Sequence, residues 1–225
     1  MATLLMALVG PMQSWGTRSR FDNRDSDLEP SKSGVLGILA AALGIDRADW
    51  PSLQPLCQLR MGVRVDREGV LRFDFQTAQE VIRASGKGTQ DTAVSRRAYL
   101  ADAAFLVGLE GPENLLKAAD KALRNPHWLL SLGRKSYVPS RPVWLEGGLL
   151  DSSLEQALLV YPPLLGNSAS KRVADPRLIL ETQDEREGGA LRMDQPLSSF
   201  AERRFGPRYV TSLTVSRLKE RYVSL

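Results

Sequence analysis

The sequence predicts an α+β protein in which helices pack on one face of an antiparallel sheet. Three observations support this fold class. Thr3–Val9 is a short apolar run, residues 31–44 carry a helical apolar stripe, and residues on both sides of Gly69 alternate between apolar and polar. A hydrophobic share of 43% is ordinary for a globular chain of 225 residues, and it excludes wholesale disorder.

The first strand and the first helix follow from local signals. Thr3–Val9 is continuous, apolar and ended by Gly10–Pro11, which is typical of a central strand buried on both faces. The helix that follows has Ser31 and Ser33 as candidate N-caps, and Gly44 suits its C-terminal end.

The middle of the chain predicts a β-hairpin, a strand and a second helix. Residues 59–65 and 71–75 alternate around a glycine turn, which gives one apolar face and one face with arginines. Residues 77–93 have low hydrophobicity and predict a mobile segment. A strand at 103–109 and a helix over 111–126 complete the order strand, helix, hairpin, strand, helix. This order favours a ferredoxin-like (RRM-like) palm.

The pattern weakens in the last third of the chain. Short apolar stretches predict a helix near 153–159 and strands near 178–180 and 209–215. We therefore expect a palm over residues 1–145 and a C-terminal extension over 146–225 that forms a second, small sheet.

Composition excludes several kinds of site. The chain has one cysteine, Cys57, so an intramolecular disulfide framework and a multi-cysteine metal site are excluded. It has one histidine, His127, and no apolar run long enough to span a membrane. We expect a cytoplasmic protein with no metal and no cofactor, and no contact with a membrane.

Positive charge is concentrated in three stretches. Residues 82–97 and 132–142 each carry an excess of three positive charges, and residues 203–221 carry an excess of five, although the whole chain is only +4. Arginine outnumbers lysine in these stretches, which favours bidentate phosphate contacts. The alternative is that they are solvated faces of the fold.

Two further features could bind a nucleic acid. Ser31, Lys32 and Ser33 place hydroxyl groups and an ammonium at the start of a helix, where backbone N–H groups attract phosphate. Simple helix capping explains the serines equally well. Trp15 lies among arginines and could stack on a base, or it could belong to the core.

Catalytic motifs are scarce. The spacing around Gly86–Thr89 does not match a P-loop, and Ser168–Lys171 lacks the motifs that accompany Ser-x-x-Lys in enzymes. His127 could act as a general base towards a ribose 2′-hydroxyl, but a lone histidine after a helix is more often structural.

Four stretches together resemble one known family: Gln13–Gly16 with Arg20 and Arg24, Pro30–Gly44, Arg97–Phe105, and Leu132–Ser136 followed by Pro139 and Pro142. They are similar to the CasD family of subunits of Cascade, the CRISPR surveillance complex, of a type I-E-like system. The similarity covers about half of the chain, and the helix motif is its most distinctive part.

The resemblance implies a member of the repeat-associated RNA-binding (RAMP) superfamily, with a ferredoxin-like palm and a projecting β-hairpin thumb at about residues 77–97. Such subunits hold the 5′ handle of the crRNA at one end of the complex. They contact the large subunit and the neighbouring backbone subunit, and a different subunit cuts the precursor RNA.

The sequence therefore predicts a non-catalytic RNA-binding subunit. The alternative is a metal-independent endoribonuclease that processes CRISPR precursor RNA, with His127, Tyr99 and Tyr137 as candidate groups. The predicted RNA-binding residues are Trp15, Arg18, Arg20, Arg24, Ser31, Lys32, Ser33, Arg96, Arg97, Arg134, Lys135 and Ser136.

Overall fold

The computed structural model describes residues 1–17, 22–83, 85–165, 175–182 and 189–223. The strands are β1 (Ala2–Val9), β2 (Met12–Gln13), β3 (Asn23–Arg24), β4 (Arg60–Arg67), β5 (Val70–Ile82), β6 (Thr89–Ala101), β7 (Ala104–Gly111), β8 (Trp144–Leu150), β9 (Arg177–Thr182), β10 (Ala190–Pro196) and β11 (Phe205–Thr214). The helices are α1 (Lys32–Leu43), α2 (Trp50–Cys57), α3 (Glu113–Arg124), α4 (Leu154–Val160) and α5 (Val215–Val223). The α+β class with antiparallel pairing is confirmed.

A seven-stranded antiparallel sheet forms the centre of the fold, with strand order β10-β11-β9-β4-β7-β1-β8. Strand β1 is buried along its whole length, as its apolar run predicts. Leu4, Met6 and Leu8 belong to the core that includes α1 and α3, whereas Leu5 and Ala7 belong to a second core with α4. The expectation of helices on one face only is therefore wrong, because β1 is apolar on both faces and needs a helical layer on each.

Local capping signals place the two predicted helices correctly. The Ser31 side chain accepts a hydrogen bond from the Gly34 N–H at 3.3 Å, and Gly44 ends α1 with a φ of 73°. Helix α3 begins after Pro112 and ends at Asn125, where the next residue is Pro126.

The predicted hairpin of 59–65 with 71–75 is wrong in its pairing. Strand β4 pairs with β7 and β9, whereas β5 pairs with β6 over almost its whole length. The chain crosses from one sheet to the other at Gly69, which has a φ of 76°. Alternation places a strand but does not identify its partner, and the buried strand β4 needed neighbours on both edges.

Residues 77–93, expected to be a mobile segment, instead fall mostly on β5 and β6. They form the distal part of a long two-stranded hairpin whose turn contains Gly86 and Gly88, both with positive φ. Their low hydrophobicity reflects exposure on both faces of the hairpin, not absence of regular structure. The hairpin is joined along β6 to the short strands β2 and β3.

The C-terminal strands also differ from expectation. Strands β9, β10 and β11 do not form a second small sheet, because β9 pairs with β4 and extends the central sheet. Leu178 and Leu180 on one face of β9 and Ile179 on the other are buried in the two cores, so β9 behaves as an interior strand. Within the described residues, no helix is both long and apolar enough to cross a membrane.

Buried ion pairs attach the edge of the sheet to the start of α1. The Asp194 carboxylate accepts hydrogen bonds from the Lys32 backbone N–H at 2.7 Å and from Arg208 Nε at 2.6 Å. The Lys32 ammonium lies 2.8 Å from Glu181. Burial lowers the pKa of Lys32, and the charge of Glu181 partly opposes that shift.

We predict that Asp194→Ala lowers the free energy of unfolding by about 3–5 kcal/mol, because it leaves the buried Arg208 guanidinium without its nearest counter-charge. Urea unfolding followed by circular dichroism measures the change. The control is Asp91→Ala, which removes an exposed carboxylate on β6 and should change stability by less than about 0.5 kcal/mol. Equal effects of the two substitutions would contradict the role of Asp194.

Candidate nucleic-acid interface

The base of the β5/β6 hairpin brings arginines from distant parts of the chain together. Strand β3 lies parallel to β6, with Asn23 beside Arg96 and Arg24 beside Arg97. Neighbours in register place their side chains on the same face of a sheet, so Arg24 and Arg97 share a face. On the other side of β6, Arg72 lies opposite Tyr99 and on this same face.

The loop after Leu132 is fixed against this hairpin by backbone contacts. The Ser14 N–H donates to Leu132 O at 3.0 Å, and the Ser14 hydroxyl donates to Ala98 O on β6 at 3.3 Å. Gly133 has a φ of 94°, and a Cβ atom there would lie 1.8 Å from Ser14 O. Only glycine can make this approach, so the position of the loop relative to β6 depends on it.

Arg134 is held at the edge of the same surface. Its Nη1 donates to the Tyr137 hydroxyl at 2.7 Å, and its guanidinium lies 5.3 Å from the centre of the Tyr137 ring. The Tyr137 ring is 6.1 Å from the ring of Tyr99 on β6. A guanidinium has five N–H donors, so Arg134 has others with which to contact a phosphate.

We define the basic surface by five side chains on this face of the hairpin base and the adjoining loop: Arg24, Arg72, Arg97, Arg134 and Lys135. Ser136 is exposed beside Lys135. Sequence reasoning missed Arg72, although the alternation of β5 showed that one face carries arginines. It could not show that this face continues into the 132–137 loop.

Arg96, predicted together with Arg97, lies on the opposite face of the hairpin because successive strand residues alternate. Its guanidinium stacks 4.2 Å from the centre of the Phe73 ring. Phe73 and Phe75 are 53% and 69% exposed, and Leu71 and Val94 are also exposed. We call these four residues the apolar face of the hairpin.

The predictions for Trp15 and Lys32 are wrong. The Trp15 side chain is 1% exposed and packs against Gly34, where a Cβ atom would lie 2.9 Å from Trp15 Cε3. Lys32 is 2% exposed and paired with Glu181. Neither can reach RNA without a rearrangement of the core, so the alternative assignment of Trp15 to the core is confirmed.

The predicted phosphate site at the start of α1 is contradicted for Ser31. Its hydroxyl caps the helix at Gly34, and the Lys32 N–H already donates to the Asp194 carboxylate. A carboxylate in that position repels a second anion. Ser33 is half-buried and lines a cavity described below, and Arg18 and Arg20 lie outside the described residues.

The basic stretch 203–221 does not form one surface. Arg208 is buried and paired with Asp194, whereas Arg217 and Lys219 are exposed on α5. Leu218 of α5 is buried in the α4 core, so this helix lies on the sheet face opposite α1. Arg203 lines the cavity near α1.

That cavity, which we call the α1 groove, has a volume of about 470 Å³. Its floor is the α1 face with Gly34, Gly37 and Ala41, and one wall includes Leu129, Ser131 and Gly133. The opposite wall comes from Arg47 and the 200–205 segment.

The candidate catalytic groups are not assembled into a site. The His127 ring packs over Gly44 and makes an edge contact with Trp128, whereas Tyr99 and Tyr137 contact each other. Burial raises the pKa of the Cys57 thiol to about 11, which keeps it protonated at neutral pH. Among the residues that the structure describes, no three His, Cys, Asp or Glu side chains are grouped to hold a metal ion.

Comparison with known proteins agrees with this arrangement. The family profile described as CRISPR-associated protein (Cas_Cas5) matches residues 3–211, and the chain belongs to this family of CRISPR-associated proteins. It is 34% identical over 198 residues to the CRISPR system Cascade subunit CasD of Escherichia coli (strain K12), covering 81% of this chain and 87% of the relative.

Two solved structures are similar over nearly the whole chain. One, titled "Crystal structure of Cas protein", is 48% identical with a TM-score of 0.78, covering 95% of this chain and 94% of the other. The second, titled "CRISPR RNA-guided surveillance complex", is 33% identical with a TM-score of 0.79, covering 94% and 89%.

We predict that Gly133→Ala destabilises the protein by at least about 2 kcal/mol more than Gly86→Ala. Both glycines have positive φ, so both substitutions add backbone strain of about 1 kcal/mol. Only Gly133 has a backbone oxygen in the place of the new methyl group, since nothing lies within 4 Å at Gly86. Thermal unfolding of the two variants measures the difference, and equal losses would show that the loop can move away from Ser14.

Proposed function

We propose that this chain is a non-catalytic subunit of a Cascade-type CRISPR surveillance complex and that it holds the 5′ handle of the crRNA. The basic surface is the observation that carries this proposal. Family membership and similarity to the E. coli Cascade subunit CasD support it. A subunit at the 5′ end of the crRNA would cap the backbone of the complex.

The topology supports a ferredoxin-like palm. The elements β1-α1-β4-β7-α3-β8 follow a β-α-β-β-α-β order, and the corresponding strands lie in the order β4-β7-β1-β8 within the sheet. The β5/β6 hairpin is inserted between β4 and β7, where a thumb would project. Within this proposal, residues 1–145 are the palm and residues 146–225 extend it.

The chemistry of the basic surface suits single-stranded RNA. Its arginines can contact phosphates through paired N–H donors, and Tyr99 is half-buried, so part of its ring is accessible. Asp74, opposite Arg97, is the carboxylate in the same register of the hairpin. The RNA-contacting set that we propose is the basic surface with Ser136.

The partners follow from the same assignment. We propose that the large subunit and the neighbouring backbone subunit contact this chain, and that the apolar face of the hairpin is one of the surfaces involved. Phe73 and Phe75 leave more apolar surface in water than a two-stranded hairpin needs for its own stability.

We predict that Arg97→Ala and Arg134→Ala each weaken binding of labelled single-stranded repeat RNA. Each should also reduce the slope of log K against log salt concentration by about 0.7, because one phosphate contact is lost. Fluorescence anisotropy at several salt concentrations measures both effects.

The matched control for these variants is Arg217→Ala, which removes the same charge from the opposite side of the sheet. It should change affinity by less than about twofold. If all three variants bind RNA alike, the basic surface is not the RNA-binding site.

We predict no cleavage when the purified chain is incubated with repeat RNA in EDTA, since the histidine and the tyrosines are not assembled. Denaturing gels of end-labelled RNA provide the measurement, with His127→Ala in parallel. Site-specific cleavage that His127→Ala abolishes would instead identify a metal-independent endoribonuclease.

A further inference from the structure

The α1 groove is shaped as a binding site and is separate from the basic surface. Small residues on one face of α1 leave its floor open, and a Cβ atom at Gly37 would meet nothing within 4 Å. Its volume of about 470 Å³ lies within the range of about 300–1,000 Å³ that small-ligand sites occupy. The aromatic rings of Phe200 and Phe205 line the wall opposite Gly133.

The charge of the groove is of one sign. Its charged lining residues are Arg47 and Arg203, and no carboxylate lines it. A cavity that combines guanidinium groups with aromatic rings and lacks carboxylates attracts an aromatic anion, which is the chemistry of a nucleotide.

The wall that carries Arg203 is fixed in place by α1-side contacts. The Ala201 N–H donates to Arg47 O at 3.0 Å, and Arg47 Nη2 donates to Phe200 O at 3.2 Å. Arg203 itself has a φ of 56°, which is costly for a residue with a side chain. Backbone strain of this kind is concentrated at binding sites, where the surrounding structure maintains it.

The groove is continuous with the basic surface. Ser14 and Gly133 line the groove, and the next residue, Arg134, belongs to the basic surface. An RNA strand that contacts Arg97 and Arg134 therefore reaches the mouth of the groove through neighbouring residues. This continuity favours RNA as the occupant over a protein segment.

We propose that the α1 groove binds one unstacked nucleotide of the RNA, with its base against Phe200 or Phe205 and its phosphate on Arg203. This inference rests on the proposed function, because it places one nucleotide of the same strand. Residues 200–205 thereby become RNA-contacting residues in the C-terminal third of the chain.

The test compares Arg203→Ala with Arg204→Ala, which remove the same charge from adjacent exposed residues, only the first of which lines the groove. With labelled single-stranded repeat RNA, Arg203→Ala should weaken binding about fivefold to tenfold, and Arg204→Ala less than about twofold. Arg203→Gly should weaken binding as much as Arg203→Ala, while its thermal stability is equal to or above that of the unmodified chain, because glycine relieves the strain.

Photocrosslinking provides an independent readout of the occupant. Repeat RNA containing 4-thiouridine should crosslink to the peptide that carries Phe200, and Phe200→Leu, which keeps an apolar side chain but removes the ring, should reduce that crosslink. Unchanged RNA binding by both Arg203 variants, with binding still weakened by Arg134→Ala, would overturn the groove assignment alone.

Two other outcomes separate the remaining explanations. If Arg203→Ala leaves RNA binding intact but reduces recovery of partner subunits from the assembled complex, the groove binds protein and the proposal is wrong. If the Arg134 and Arg203 variants all bind RNA like the unmodified chain, the proposed RNA-binding function fails together with the groove.

Discussion

The buried segment Gln13–Trp15 holds the parts of the interface in their relative positions. Gln13 Nε2 donates to Leu8 O at 3.1 Å and to Ala103 O at 2.8 Å, and its Oε1 accepts from Trp15 Nε1 at 3.3 Å. Ser14 joins the 132–137 loop to β6, and Trp15 packs under the start of α1. Because buried polar groups must be paired, this segment has few alternative positions, and the hairpin, the loop and α1 are fixed relative to one another.

Sequence periodicity predicted the elements whose signals are local. The apolar run of β1, the serine cap and Gly44 of α1, and the proline boundaries of α3 all lie within a few residues of what they specify. Strand partners were not predictable in the same way. Strand β4 pairs with β9, more than 100 residues later, and that choice depends on burial of both faces of both strands.

The interface was predicted in residue type but only partly in residue identity. Counting charge along the chain grouped Arg96 with Arg97 and Arg203 with Arg208, but strand alternation and burial separate each pair. Lys32 resembled a phosphate ligand because its partners, Glu181 and Asp194, lie about 150 residues away in the sequence. A buried cation is satisfied by such distant carboxylates, and no local pattern reveals them.

The conserved-looking motif around Trp15 therefore has a structural explanation in this chain. Its indole and the neighbouring Gln13 and Ser14 are buried, so they act on the interface by positioning Arg97 and Arg134 and not by contact. The same packing closes one side of the α1 groove, since Ser14, Trp15 and Gly16 line it. A rigid core segment shared by the groove and the basic surface keeps their spacing constant, so an RNA strand bound at both would lose its own conformational freedom while the protein loses little.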